Sequence, residues 1–319
     1  MKISALKPGA TSRLTQGYLI CLLGTFLWSF TAIFIRYLTE VYQLPALVLA
    51  FWRDLFVFLA LAGVFAVFSP ARLRIGRRDL GFLVLYGFIL SVFNALWTFS
   101  VALNGAAVAT VLAYSSAAFT AVIGWRIFGE KLGPLKILAV SLSLAGCLFV
   151  SGAYSPAAWQ LNPAGIVTGL LSGLFFASYS LMGKASARRG IYPWTALLYT
   201  FGLAAFFLLV YNLAPAILPG FGRSVELFWL GDSTLGWAIL IALAIGPTIG
   251  GYGFYTLSLA YLPASVANLI ATLEPPLTAL LAFIILDESF TLPQWIGSAL
   301  IVSGLVILRR GEGGTPLQE

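Results

Sequence analysis

Apolar residues in this chain run in ten blocks of roughly twenty, separated by short polar stretches, and the blocks fill nearly all of its 319 residues. A helix gains about 1.5 Å per residue, so about 20 apolar residues match the ~30 Å hydrocarbon core of a bilayer. The pattern predicts membrane helices near residues 17–38, 45–68, 80–103, 105–128, 134–152, 163–184, 193–211, 235–259, 263–286 and 292–309. The expected class is an all-α membrane protein. The first block follows Lys2, Lys7 and Arg13 as a signal peptide would, but at about 22 residues it exceeds the 7–15-residue apolar core of a signal and reads as a helix. Roughly sixty-five residues remain outside the blocks, too few for an independent soluble domain of about 100–150 residues.

Composition sharpens this reading. Hydrophobic residues make up 60% of the chain and charged residues 9%. The net charge of +7 would suit nucleic acid, but its placement argues otherwise. With the N-terminus inside, strict alternation puts Lys2, Lys7, Arg13, Arg72, Arg74, Arg77, Arg78, Arg126, Lys131, Lys136, Lys184, Arg188, Arg189, Arg309 and Arg310 on the cytoplasmic side. Arg36 and Arg223 fall outside, and Arg53 lies within the second block. A Lys/Arg bias in short loops sets membrane orientation. Both termini are therefore expected in the cytoplasm, the basic charge is a topology signal, and no nucleic-acid partner is implied.

The two halves of the chain resemble each other. At an offset of 158, Ala102–Val150 lies on Ala260–Leu308 without a gap, with identities that include Ala106/Ala264, Ala113/Ala271, Thr120/Thr278, Glu130/Glu288 and Gly146/Gly304. At an offset of 148, Gly17–Arg36 lies on Gly165–Lys184. The expected organisation is a leader at 1–16, a five-helix repeat at 17–152, an extracytoplasmic connector at 153–162, a second repeat at 163–309 and a tail at 310–319. Five spans per repeat is an odd number, so the second repeat should enter the membrane upside down. Inverted repeats around a midplane cavity are an architecture of secondary transporters.

Several local patterns carry a family likeness. They are Leu27-Trp28-Ser29, Phe51-Trp52-Arg53 and Gly129-Glu130 in the first half, and Glu274-Pro275, Asp287-Glu288 and Gly297–Gly304 in the second. In these patterns and in the order of spans, the chain resembles the drug/metabolite transporter superfamily, in its ten-helix EamA-type branch. That resemblance implies a bacterial inner-membrane protein that exports aromatic and other neutral amino acids. It also implies that helices 1, 3, 4, 6, 8 and 9 surround the cavity while 5 and 10 lie outside it. Trp28 and Tyr114 match the branch, whereas Ser116 stands where a second aromatic would be expected in helix 4.

Candidate chemistry is sparse. Three ionisable residues fall well inside spans: Arg53, Asp54 and Glu274. A charge at that depth costs ~2.5–3.5 kcal/mol on insertion scales and normally faces a cavity or a partner. Glu274 precedes Pro275 and Pro276, which cannot donate to carbonyls one turn back and should leave Ile270, Ala271 or Thr272 with an open acceptor. Two roles fit Glu274, meeting a substrate ammonium or proton and bracing the helix break. Arg53 and Asp54 are about 100° apart on a helix, a poor angle for pairing with each other. Arg53 is thus expected either to bind a substrate carboxylate or to pair with an acid on a neighbouring helix.

Trp28, Tyr114 and Phe176 lie near span centres, with Tyr86, Asn94, Trp97, Tyr179, Tyr252, Tyr255 and Asn268 as further lining candidates. An apolar wall with a few placed polar groups is what a small-molecule pocket needs. The repeat pairs Trp28/Phe176 and Trp97/Tyr255 are expected to face one another. Gly165, Gly169 and Gly173 should permit close helix approach, Gly246-Pro247 should mark a hinge in the eighth helix, and Ser224–Gly231 is a candidate surface helix.

Function classes narrow accordingly. There is no phosphate-binding loop or metal-ligand cluster, histidine is absent, and Cys21 and Cys147 lie inside spans, so neither a cofactor nor a metal is expected. A membrane enzyme would need clustered acids or histidines. A channel would need a filter repeat or a polar ring. A small-molecule carrier in the lipid bilayer is the expectation, driven either by protons through Glu274 or Asp54 or by a downhill gradient.

Overall fold

The computed structural model describes residues 10–158, 162–217, 226–286, 289 and 291–312. Ten apolar helical segments run through them: α1 (Arg13–Val41), α2 (Ala46–Phe68), α3 (Arg77–Gly105), α4 (Val108–Phe128), α5 (Pro134–Val150), α6 (Pro163–Arg188), α7 (Pro193–Ala214), α8 (Thr234–Ser258), α9 (Ala264–Ile285) and α10 (Leu292–Arg310). Nine are long and apolar enough to cross a membrane, and α5 is shorter. Large side chains such as Phe68, Val67 and Ile284 point out of the bundle, as expected where lipid replaces water as the surrounding solvent. Cys21 and Cys147 are free and buried.

The helices depart from straight rods at informative places. The first helix starts at Ala10, inside the stretch expected to be leader, and breaks at Phe30 into Ala10–Ser29 and Thr31–Val41. The break in α4 is at Ser115. In α9 it falls at Thr272 and Leu273, just ahead of the two prolines. Ser115 and Leu273 are equivalents at the repeat offset of 158. All three breaks carry a hydroxyl that bonds the carbonyl three residues back: Ser29 to Phe26 at 2.6 Å, Ser115 to Leu112 at 2.5 Å and Thr272 to Leu269 at 2.6 Å. Such side-chain bonds compete with the helical ladder.

At α9 the prolines remove the donors that would reach Ala271 and Thr272. The Ile270 carbonyl, expected among the open ones, instead accepts from Leu273 N–H at 3.0 Å. In α8 the expected hinge is a π-helical turn, Ala244–Thr248, around Pro247. The expected surface helix at Ser224–Gly231 does not form: residues 227–232 are turns, while Ser224 and Val225 lie outside the described residues.

Packing joins the two halves throughout. Helix α3 packs along α6, α1 along α8, α2 along α7, α4 against α9, and α5 along α10. Exchanging each helix for its equivalent five later maps this set onto itself. The glycine stripe explains one approach: a β-carbon added at Gly169 would sit 2.6 Å from Ser100 Oγ, and one at Gly165 2.6 Å from Asn104 Cγ. The α5–α10 pair is equally close, since a β-carbon at Gly297 would stand 2.6 Å from the Gly146 carbonyl. That pair stands to one side, leaving α1, α3, α4, α6, α8 and α9 to meet in the middle.

Candidate functional site

Three groups of the expected site residues come together at mid-depth. The first is aromatic. Trp28 lies 4.3 Å from Tyr252, 5.6 Å from Tyr255 and 5.7 Å from Phe176, measured between ring centres. Tyr179 stacks on Phe176 at 6.3 Å, meets Tyr252 edge-on at 5.6 Å and contacts Tyr86 at 4.9 Å. These rings are buried against one another. They form a packed floor drawn from α1, α3, α6 and α8, and the repeat pair Trp28/Phe176 meets within it. Trp97 and Tyr255 do not face each other: Tyr255 packs on Trp28 and Phe176, and Trp97 is half-buried outside the cluster.

A polar string runs beside the rings. Tyr255 and Ser180 share a bond of 2.7 Å, Asn268 donates to Ser180 at 3.0 Å, and Ser116 donates to the Asn268 side-chain carbonyl at 3.0 Å. Tyr179 and Thr256 are 3.3 Å apart. Thr256 repeats Thr98 at the offset of 158, whereas Ser180 carries no sequence signal that separates it from other small hydroxyl residues in membrane helices. Ser116, where an aromatic was expected, bridges α4 to α9.

The second group corrects the expectation for Arg53. Arg53 does not seek an acid on another helix. Its Nε donates to the adjacent Asp54 at 3.1 Å, because the long side chain folds back across the angle that separates the two positions. Its Nη2 donates to Asn94 on α3 at 3.2 Å, and Asn94 Nδ2 donates to the other Asp54 oxygen at 3.1 Å. Arg53 and Asp54 are 7% and 0% exposed, so this closed triangle neutralises two charges that would be costly alone.

The third group is Tyr114 and Glu274. The Tyr114 hydroxyl donates to Glu274 Oε2 at 2.5 Å, joining the two broken helices where both are interrupted. Glu274 is half-buried and sits at the first turn of Glu274–Leu286. A helix start stabilises a carboxylate there. The nearby Ala271 and Thr272 carbonyls lack proline donors, so the break offers acceptors and a negative charge. That arrangement suits a cationic or hydrogen-bond-donating group. Among the described residues no group of three or more His, Cys, Asp or Glu is placed to hold a metal.

A helical membrane bundle of two five-span repeats with a small polar site at its broken helices is the architecture of a solute transporter. The chain belongs to the EamA-like transporter family, whose pattern it matches twice, over residues 15–152 and 163–310. It is a transporter rather than an enzyme. It is 30% identical over 258 residues to an "Uncharacterized transporter" of Archaeoglobus fulgidus, covering 79% of this chain and 85% of that one. It is 26% identical over 297 residues to a "Probable amino-acid metabolite efflux pump" of Escherichia coli strain K12, covering 90% of this chain and 93% of that one. A crystal structure at 19% identity shares the fold with a TM-score of 0.72, covering 93% of this chain and 99% of that one.

Proposed function

We propose that the chain is a secondary transporter that exports small organic solutes, amino acids foremost, across the cytoplasmic membrane by alternating access. Its two repeats are inverted, and both termini lie in the cytoplasm. The observation that carries this reading is the pairing of Tyr114 and Glu274 at matched interruptions of α4 and α9. Broken helices at membrane depth are where transporters of this architecture place polar sites. Glu274 meets the substrate ammonium, the aromatic rings around Trp28 supply the apolar floor, and the Arg53–Asp54–Asn94 triangle braces α2 against α3. The resemblance to an Escherichia coli efflux pump named for amino-acid metabolites supports the choice of solute.

Counterflow tests it. Purified protein in liposomes should exchange labelled amino acids across a screen of the common twenty, with saturation and trans-acceleration. Glu274→Gln should cut that exchange by about ten- to a hundredfold, the cost of losing one charge-assisted bond worth ~1.5–3 kcal/mol. Wild-type exchange in a well-expressed Glu274→Gln protein would remove Glu274 from the site. Conductance without counterflow would instead make the protein a channel.

A further inference from the structure

One end of the bundle carries most of the basic residues, and there the turn between α8 and α9 is gripped by α4, α5 and α6. Gly129 ends α4 with φ +68°, a value that favours glycine, and this turns the chain so that Glu130 points back along the bundle. Glu130 accepts from the backbone N–H of Ala264 at 2.8 Å and of Ser265 at 3.4 Å, and also from the Ser265 hydroxyl. A carboxylate from the first repeat thus caps a helix of the second, where unpaired N–H groups favour an anion.

Lys136 on α5 donates to Ser265 at 2.8 Å and lies 3.7 Å from Glu130. Lys184 on α6 donates to the carbonyls of Leu259 at 3.0 Å and Leu262 at 2.9 Å, at the C-terminal end of α8, where a cation is favoured. One turn deeper, Asn268 bonds both Ser116 of α4 and Ser180 of α6.

We propose that Glu130 and Lys184 are positioning residues of the gate at the basic end. Their bonds to the α8–α9 turn hold the site closed to that side, and the bonds break when the site opens there. From the α8–α9 turn they hold, α9 runs through Asn268, which bonds Ser116 of α4 and Ser180 of α6, to Glu274. The inference rests on alternating access but on no particular solute.

Sided thiol labelling tests it. Thr120 is fully buried on α4, one turn from Ser116 and one turn from Gly124, where an added β-carbon would stand 3.0 Å from the Glu130 carboxylate. It therefore lies on the face of α4 directed at the gate. With Cys21 and Cys147 replaced by alanine, Thr120→Cys becomes the reporter, probed with a charged, membrane-impermeant methanethiosulfonate from each face of oriented vesicles. Glu130→Gln with Lys184→Gln should raise the labelling rate from the basic-end face about tenfold, the effect of ~1.4 kcal/mol on the gate equilibrium, and leave the other face unchanged. Unchanged labelling from both faces, or an equal rise from both, would overturn the assignment. Should the double variant not reach the membrane, Glu130→Gln alone should move the rate in the same sided way. Labelling needs no solute, so a failed amino-acid screen leaves this result standing.

Discussion

Asp54 is fully buried and receives both Arg53 and Asn94, so its charge balances a guanidinium that is itself buried. Removing one member of a buried pair leaves the other uncompensated, at a cost of about 3–5 kcal/mol. Asp54→Asn should therefore lower the melting temperature and yield of detergent-purified protein, more than Glu274→Gln does, because Glu274 is only half-buried and bonded to a neutral hydroxyl. Thermal unfolding followed by a fluorescent thiol-free probe would rank the two, and equal stability would show that the triangle carries no structural load. At this scale the sequence identified which residues are chemically unusual, since ionisable groups in apolar blocks stand out. It could not tell how Arg53 is satisfied, because side-chain reach depends on rotamer and on where α3 brings Asn94.

Helix interruptions belong to the scale of elements. Pro275 and Pro276 announce the break in α9, and restoring amide donors should close it. Pro275→Ala with Pro276→Ala lets residues 275 and 276 bond Ala271 and Thr272, so the double variant is expected to be at least as thermostable as the parent while losing most of its counterflow. A stable variant with full exchange would show that the break is dispensable. The matching break in α4 has no proline. It depends on Ser115 bonding back to Leu112 at 2.5 Å, a choice that serine makes only in some contexts, and so it was not legible. Tryptophans at span ends show the same limit. Trp52 and Trp229, which by position suit the membrane interface, also donate to the carbonyls of Leu227 at 2.7 Å and Tyr42 at 2.8 Å, pinning surface segments.

At the scale of the whole molecule, the contacts between halves exchange under the repeat relation, and the order of spans puts most of the basic residues at one end. If the repeats are inverted, both chain ends share a side. Reporter fusions that fold only in the cytoplasm should be active at either terminus, and activity at one terminus alone would break the five-plus-five arrangement.

Ten spans, the duplication and the EamA-type likeness were readable along the chain, because the thickness of a bilayer imposes a one-dimensional rule on helix length and apolarity. The meeting of Trp28 with Phe176, the exclusion of Trp97, the Ser116–Asn268–Ser180 string and the Glu130 cap on α9 were decided only in three dimensions. In a chain this apolar, nearly every helix face can pack against protein or lipid. The partner of each face follows from small-residue fit and a few polar bonds between positions a hundred or more residues apart, which no local pattern records.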